Sequence, residues 1–193
     1  TNGDQNGLVP LTNVKGTQNI MDAAKKAGVK RVIHISSIQA YTQIPSDEVL
    51  DEQRSLTSDK AFAYDRSKRD GQQIALSYAS DQMAVIVVNP TSIVGPYDFK
   101  PSKLGQAIIQ MGTGQLPYVL KGGTDYCDVR DLAHTIVNGL TMGQNGESYL
   151  LSGKWYSLID LATMVGDCVG RKYKVTALPP ILAWIGLPFS KLT

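Results

Sequence analysis

Tyr64 and Lys68, in the stretch Ala-Tyr-Asp-Arg-Ser-Lys, stand four residues apart. That spacing puts both side chains on one face of a helix. A phenol has a reference pKa of about 10, and an ammonium fixed beside it favours the ionised form. Such a phenol exchanges a proton with a carbonyl or alcohol oxygen at neutral pH. This is the acid–base half of carbonyl reduction or alcohol oxidation, and it needs no metal. The spacing alone is a weak signal. Nine Tyr and thirteen Lys in 193 residues give roughly 0.6 such pairs by chance, and a helix-surface Tyr beside a solvated Lys shows the same pattern.

The elements that must position this pair are legible from periodicity. Pro10 suits the first turn of a helix. Val14, Thr17, Ile20, Met21 and Ala24 repeat at helical spacing, and Gly28 closes the segment. The β-branched run from Arg31 to Ser36 predicts a buried strand, followed by a polar loop. A second helix carries Tyr64 through Ser67, Gly71, Ile74, Ala75 and Tyr78. A second apolar strand, Ala84 to Val88, is stopped by Asn89-Pro90. Helix alternating with buried strand predicts an α/β fold with a parallel sheet. Beyond it, Gly95-Pro96-Tyr97-Asp98 reads as a turn, and 104–111, 131–140 and 158–169 read as helices. Residues 149–151 read as a short strand, and 112–123 as a glycine-rich stretch.

Composition excludes several classes. The chain is 42% hydrophobic and 19% charged with a net charge of +2, which gives no basic footprint for nucleic acid. Cys127 and Cys168 have no metal-ligand spacing and form no CxxC pair. They read as two small buried hydrophobes in a reducing compartment, which predicts a cytoplasmic protein without a metal. His34 in the first strand and His134 in a later helix read as structural. The polar start of the chain shows no signal peptide. The apolar stretch Leu178 to Phe189 is broken by proline and too short to cross a membrane, which takes about 20 apolar residues, so no membrane partner is expected.

Ser36 and Ser37 end the first strand, and Asn89-Pro90 ends the second. Functional groups in open α/β sheets gather just beyond the carboxyl ends of strands. A serine hydroxyl there can bind a substrate oxygen, or simply cap a loop. Pro90 cannot donate to the sheet, which turns the backbone away and leaves neighbouring groups for a ligand. Asn13 lies on the first helix, where its amide could hold a water or face solvent.

In this order, the pieces resemble the extended short-chain dehydrogenase/reductase family, of the NAD-dependent epimerase/dehydratase type. Asn13-Val-Lys-Gly-Thr17 is similar to the family's Asn-Val-x-Gly-Thr helix, and the strand ending in Ser36-Ser37, with Tyr41 beyond it, to its Ser-Ser strand. Tyr64 to Lys68 matches Tyr-x-x-x-Lys, and Pro90 to Pro96 the Pro-x-x-x-x-Gly-Pro segment. Asp128-Val-Arg-Asp-Leu-Ala133 and Gly146 to Gly153 follow in sequence. The segment from Asp98 resembles the dihydroflavonol reductase-like branch.

The resemblance implies a Rossmann-like parallel sheet, with residues 1–96 as part of the dinucleotide-binding domain. Residues 97–193 would be a small C-terminal substrate-binding lobe, interleaved with the last Rossmann elements at about 124–153. It implies Tyr64 as acid/base, Lys68 lowering its pKa and holding the nicotinamide ribose, and Ser37 orienting the substrate oxygen. Asn13 would serve a proton-relay water. Ser36, Pro90, Thr91 and Ser92 would join Tyr64 and Lys68 at the cofactor, NAD or NADP. Ile38, Gln39 and Tyr97 would meet a small-molecule substrate. The resemblance also implies a homodimer. The family's phosphate-binding glycine turn is missing from these residues, which predicts a piece of a longer protein lacking the N-terminal strands. The leading expectation is an enzyme, an NAD(P)-dependent oxidoreductase acting on a carbonyl or alcohol of a small molecule by hydride transfer, with a nucleotide-sugar epimerase or dehydratase, or a non-catalytic cofactor-binding scaffold, as the alternatives.

Overall fold

A computed structural model describes residues 7–171 and 175–179. They form two compact units. One is built from the chain up to Thr91 together with Arg130–Ser152, and the other from Ser92–Val129 together with the chain from Gly153 onward.

The first unit begins with a helical run: α1 (Leu8–Pro10), a π-helical stretch Leu11–Lys15, and α2 (Gly16–Lys26). Gly16 N–H reaches back to the Leu11 carbonyl across the wide turn. Single π turns inside helices are rare and concentrate at functional sites. The parallel sheet has the order β1 (Arg31–Ile35), β2 (Ala84–Pro90), β6 (Ser148–Leu151). Arg31 to Ile35 pair in register with Ala84 to Val88, and Val87 to Pro90 with Ser148 to Leu151. The central strand β2 is buried from Val85 to its end, as expected of a strand paired on both sides and covered by helices.

Helix α3 (Ala63–Ser77) packs on this sheet. Met21 from α2, Ala75 from α3, and Met83 and Val85 form a core joined by Ala24, Val32 and Tyr78. Full burial of a side chain such as Met21 contributes about 1.5–3 kcal/mol. The approach of α3 to the π stretch requires a glycine. A Cβ on Gly71 would lie 2.9 Å from the Asn13 carbonyl oxygen. Helix α5 (Val129–Gly139) leads into β6.

The second unit holds β3 (Ser92–Val94), α4 (Lys103–Thr113), β4 (Tyr118–Leu120), β5 (Gly123–Asp128), β7 (Lys154–Ser157), α6 (Leu158–Cys168) and β8 (Thr176–Leu178). Strand β5 pairs parallel with β3 and antiparallel with β7, and β4 pairs with β8. Met111, Val119, Tyr126, Leu161 and Ala162 make its core. Ser157 and Asp160 form a capping box that starts α6.

The helices and the three strands of the first sheet stand within a few residues of their predicted positions. The stretch 112–123 is not merely a glycine-rich connection: it contains β4 and the start of β5. One cysteine expectation is corrected. Cys127 is buried, but Cys168 is exposed at the C-terminal end of α6. Among the described residues no helix is long and apolar enough to cross a membrane. Beyond Pro179, the C-terminal apolar stretch lies outside the described residues.

Candidate functional site

Helix α3 starts from Phe62, which is extended (φ −61°, ψ 152°). Tyr64 therefore falls in the first turn and Lys68 one turn later. The Lys68 Nζ stands 5.9 Å from the centroid of the Tyr64 ring. Ser37 follows β1 in extended backbone and caps the 3-10 turn Ile38–Ala40, its Oγ accepting the Gln39 N–H at 3.2 Å. The same hydroxyl stands near the Tyr64 phenol, where it favours the ionised form. The first unit thus brings Ser37, Tyr64 and Lys68 together at the carboxyl end of β1.

The electrostatics differ from the expectation of a lowered phenol pKa. Burial pushes Tyr64 above its usual value, the Ser37 hydroxyl opposes this, and the Asp65 carboxylate adds to it. The physical reason is that half-burial penalises the phenolate, while Lys68 lies over the ring and is itself pulled down by burial. Among the described residues no carboxylate pairs with the Lys68 ammonium. His34, on β1, is depressed to about 4, first by burial and then by the Lys68 charge. It is neutral at physiological pH and stands as a structural residue.

The other predicted positions divide between the units. Asn13 sits in the π stretch, and its Nδ2 donates to Ser67 Oγ on α3 at 2.9 Å. Ser36 is buried, with its hydroxyl toward the Lys68 carbonyl at 3.4 Å. The Ile38 carbonyl accepts from Gln43 Nε2 at 3.0 Å. Gln39 and Tyr64 line one cleft of about 580 Å³, walled by Thr42, Ile44, Lys60 and Phe62. Pro90 is buried opposite Leu151, and the Thr91 N–H donates to the Leu151 carbonyl at 3.0 Å. Ser92 and Tyr97 belong to the second unit. The Ser92 hydroxyl bonds Thr124 Oγ1 at 3.1 Å. Tyr97 has φ +74°, is exposed, and lines a separate apolar cleft of about 600 Å³ with Asp98, Leu104 and Ile108.

Sequence reasoning missed Gln72. It is 2% exposed on α3 and hydrogen-bonds Asn89, itself fully buried on β2. The available signal was a polar residue at a core position, between buried Gly71 and Ala75 on the same helix.

These features place the site within a recognisable lineage. The sequence profile of the NAD-dependent epimerase/dehydratase family matches residues 2–152. The chain belongs to the NAD-dependent epimerase/dehydratase family. A protein of Methylococcus capsulatus named sterol demethylase protein B is 29% identical over 93% of this chain and 55% of its own length. A Synechocystis sp. protein named for dihydroflavonol 4-reductase is 32% identical over 90% of this chain and 53% of its own. The chain therefore spans about half the length of these curated relatives. The crystal structure of gox2253 superposes with a TM-score of 0.82 at 30% identity, over 95% of this chain and 59% of that one. The family's fold is seen again in dTDP-glucose 4,6-dehydratase of Bacillus anthracis, solved in complex with NAD, with a TM-score of 0.74 at 21% identity over 87% of this chain and 55% of that one.

Proposed function

We propose that the whole protein is an NAD(P)-dependent oxidoreductase that interconverts a carbonyl and an alcohol on a small molecule. Tyr64 is the acid/base, Ser37 orients the substrate oxygen, and Lys68 serves the cofactor ribose and the phenol. The observation that carries this reading is the Lys68 ammonium 5.9 Å from the Tyr64 ring centre, one helical turn on, with the Ser37 hydroxyl near the phenol.

The residues present fit the nicotinamide-ribose end of such a cofactor. A half-buried ammonium without a carboxylate among the described residues suits vicinal ribose hydroxyls. The 193 residues contain no Gly-x-x-Gly-x-x-Gly turn to cradle a pyrophosphate, so the fit extends to that end only. Bound there, the nicotinamide would supply or receive the hydride. Tyr64 does the proton work. With its pKa raised, the phenol is protonated at neutral pH, which is the form that donates a proton to a carbonyl oxygen gaining negative charge. Ser37 donates a second hydrogen bond to that oxygen and holds it within reach of the phenol. In the alcohol-to-carbonyl direction Tyr64 must take a proton as phenolate, and the Lys68 charge favours that state.

The names of the more similar relatives, a dihydroflavonol reductase and a sterol demethylase protein, favour reduction or oxidation of a ring-bearing alcohol or ketone. A dTDP-glucose 4,6-dehydratase of Streptomyces niveus, 29% identical over 74% of this chain, supports the second reading: the same three residues begin an epimerase or dehydratase cycle by oxidising a sugar hydroxyl.

The test uses the full-length protein with a panel of ring ketones and nucleotide sugars, following nicotinamide absorbance. Net oxidation of reduced cofactor with a ketone supports the reductase, and sugar conversion without net cofactor change supports the epimerase. In either case Tyr64→Phe lowers turnover by about 10²–10⁴-fold and leaves cofactor affinity unchanged. Activity of Tyr64→Phe within a few-fold of wild type overturns the assignment.

A further inference from the structure

The end of the β1–β2 ladder is built in an unusual way. Ser36 N–H donates to the Val88 carbonyl at 2.8 Å, the last backbone rung from that side. In a parallel ladder the following rung would come from the N–H of residue 90. That residue is Pro90, which has none. Instead the side chain of Asn89 crosses to the other strand, and its Nδ2 donates to the Ser37 carbonyl at 2.9 Å.

The amide is oriented beyond ambiguity. The same Nδ2 donates to Gln72 Oε1 at 2.7 Å, so both of its partners are acceptors, and a flipped amide would set oxygen against oxygen. Gln72 is fixed in turn: its Nε2 reaches Tyr41 Oη and Ser148 Oγ, each at 3.5 Å. Asn89 is fully buried and Gln72 is 2% exposed, while Asn89 Oδ1 has no hydrogen-bond partner among the described residues. An unpaired buried acceptor is destabilising, and an apolar residue would fill this place without that penalty. The pair ties the Ser37 backbone to the helix that carries Tyr64 and Lys68.

We infer that Asn89 and Gln72 are positioning residues, which hold the Ser37 backbone so that its hydroxyl meets the Tyr64 phenol. Pro90 ends the backbone ladder and Asn89 extends it by one side-chain rung, so the Asn-Pro dipeptide sets where the serine stops. This rests on the Ser37–Tyr64 pair of the proposed function, but its test does not depend on turnover.

The readout is the alkaline titration of Tyr64, followed by NMR of ring-carbon-labelled tyrosine in the full-length protein, with the other tyrosines as internal controls. Ser37→Ala removes the hydroxyl beside the phenol, and its expected effect is to raise the Tyr64 midpoint, since that hydroxyl favours the ionised form. Asn89→Leu keeps the γ-branched shape in a bulkier, apolar side chain, and its expected effect is a rise in the same direction, with no further rise in the double variant with Ser37→Ala. If Asn89→Leu does not fold, Gln72→Met cuts the same chain one bond further on and carries the test. A folded Asn89→Leu or Gln72→Met with a wild-type Tyr64 midpoint, alongside a shifted Ser37→Ala, overturns the positioning role and leaves the catalytic reading intact. Additive shifts in the double variant also overturn it. Active Tyr64→Phe protein would remove the catalytic reading and leave the positioning result standing.

Discussion

Asn13 and Ser67 are joined by a hydrogen bond of 2.9 Å from Asn13 Nδ2 to Ser67 Oγ, and Ser67 donates in turn to the Tyr64 carbonyl at 2.7 Å. The π turn that carries Asn13 is thereby bonded to the first turn of the helix that carries the phenol. Ser67 is 2% exposed, so its hydroxyl links two elements inside the protein.

Ser67→Ala breaks this link and leaves the Asn13 amide without its partner. The expected loss is about 1–2 kcal/mol of stability, read as a lower urea midpoint with an unchanged slope. An unchanged midpoint would show that the link contributes nothing net.

Gly71→Ala sets two effects against each other. Alanine favours a helix over glycine by up to about 1 kcal/mol. The new Cβ, however, meets the Asn13 carbonyl oxygen at 2.9 Å, a backbone atom that cannot swing aside. Overpacking of this kind costs about 1–3 kcal/mol, so the clash wins and the variant melts lower than wild type. A higher melting temperature would mean that the π stretch yields freely.

His34 makes stability depend on pH. Its folded pKa of about 4 lies below the ordinary 6.5, because burial and the Lys68 charge both oppose the imidazolium. The neutral form is the one bound by folding. Its contribution is complete above pH 6.5 and is lost as pH falls toward 4, with a slope of up to about 1.4 kcal/mol per pH unit. Urea melts between those limits should show the slope, and His34→Gln should remove it. In Lys68→Met the His34 midpoint should rise, since one of its two causes is gone. A midpoint that stays put would place the lysine charge elsewhere.

Lys68→Ala in the full-length protein should weaken cofactor binding and slow turnover together, because one ammonium serves both ribose and phenol. Lys68→Arg should restore only part, since a planar guanidinium does not replace a compact charge. Unchanged cofactor affinity in Lys68→Ala would remove the ribose role.

The first unit was legible because its elements announce themselves locally. Met21 and Ala24 recur at helical spacing, and Val85 to Val88 form an unbroken apolar run. The strands of the second unit do not. β3 and β4 are three residues each, and β5 mixes Thr124 and Asp125 with Tyr126 and Cys127. Their hydrogen bonds come from partners distant in sequence, such as Ser92 beside Tyr126, which no local window contains. The site was legible in its spacing of Tyr64 and Lys68 but not in its electrostatics. A phenol pKa depends on how much water the fold leaves around it, and that is a property of packing. Gln72 was missed for a related reason: its place between Gly71 and Ala75 hints at the inward face of α3, but only packing buries the side chain.

The weaving of the chain between the two units constrains how the protein can be made. Strand β6, which pairs with β2 on the side away from β1, is synthesised only after all of Ser92–Val129. Until then β2 waits with one side unpaired, although it is the most deeply buried strand in the finished unit. A nascent chain paused between Thr91 and Ser148 therefore exposes the unpaired edge of an apolar strand, the kind of surface that captures other strands. Expression of the first unit by simple truncation would freeze that state permanently. A gene with Ser92–Val129 deleted, joining Thr91 directly to Arg130, would keep β6 beside β2 in the same unit.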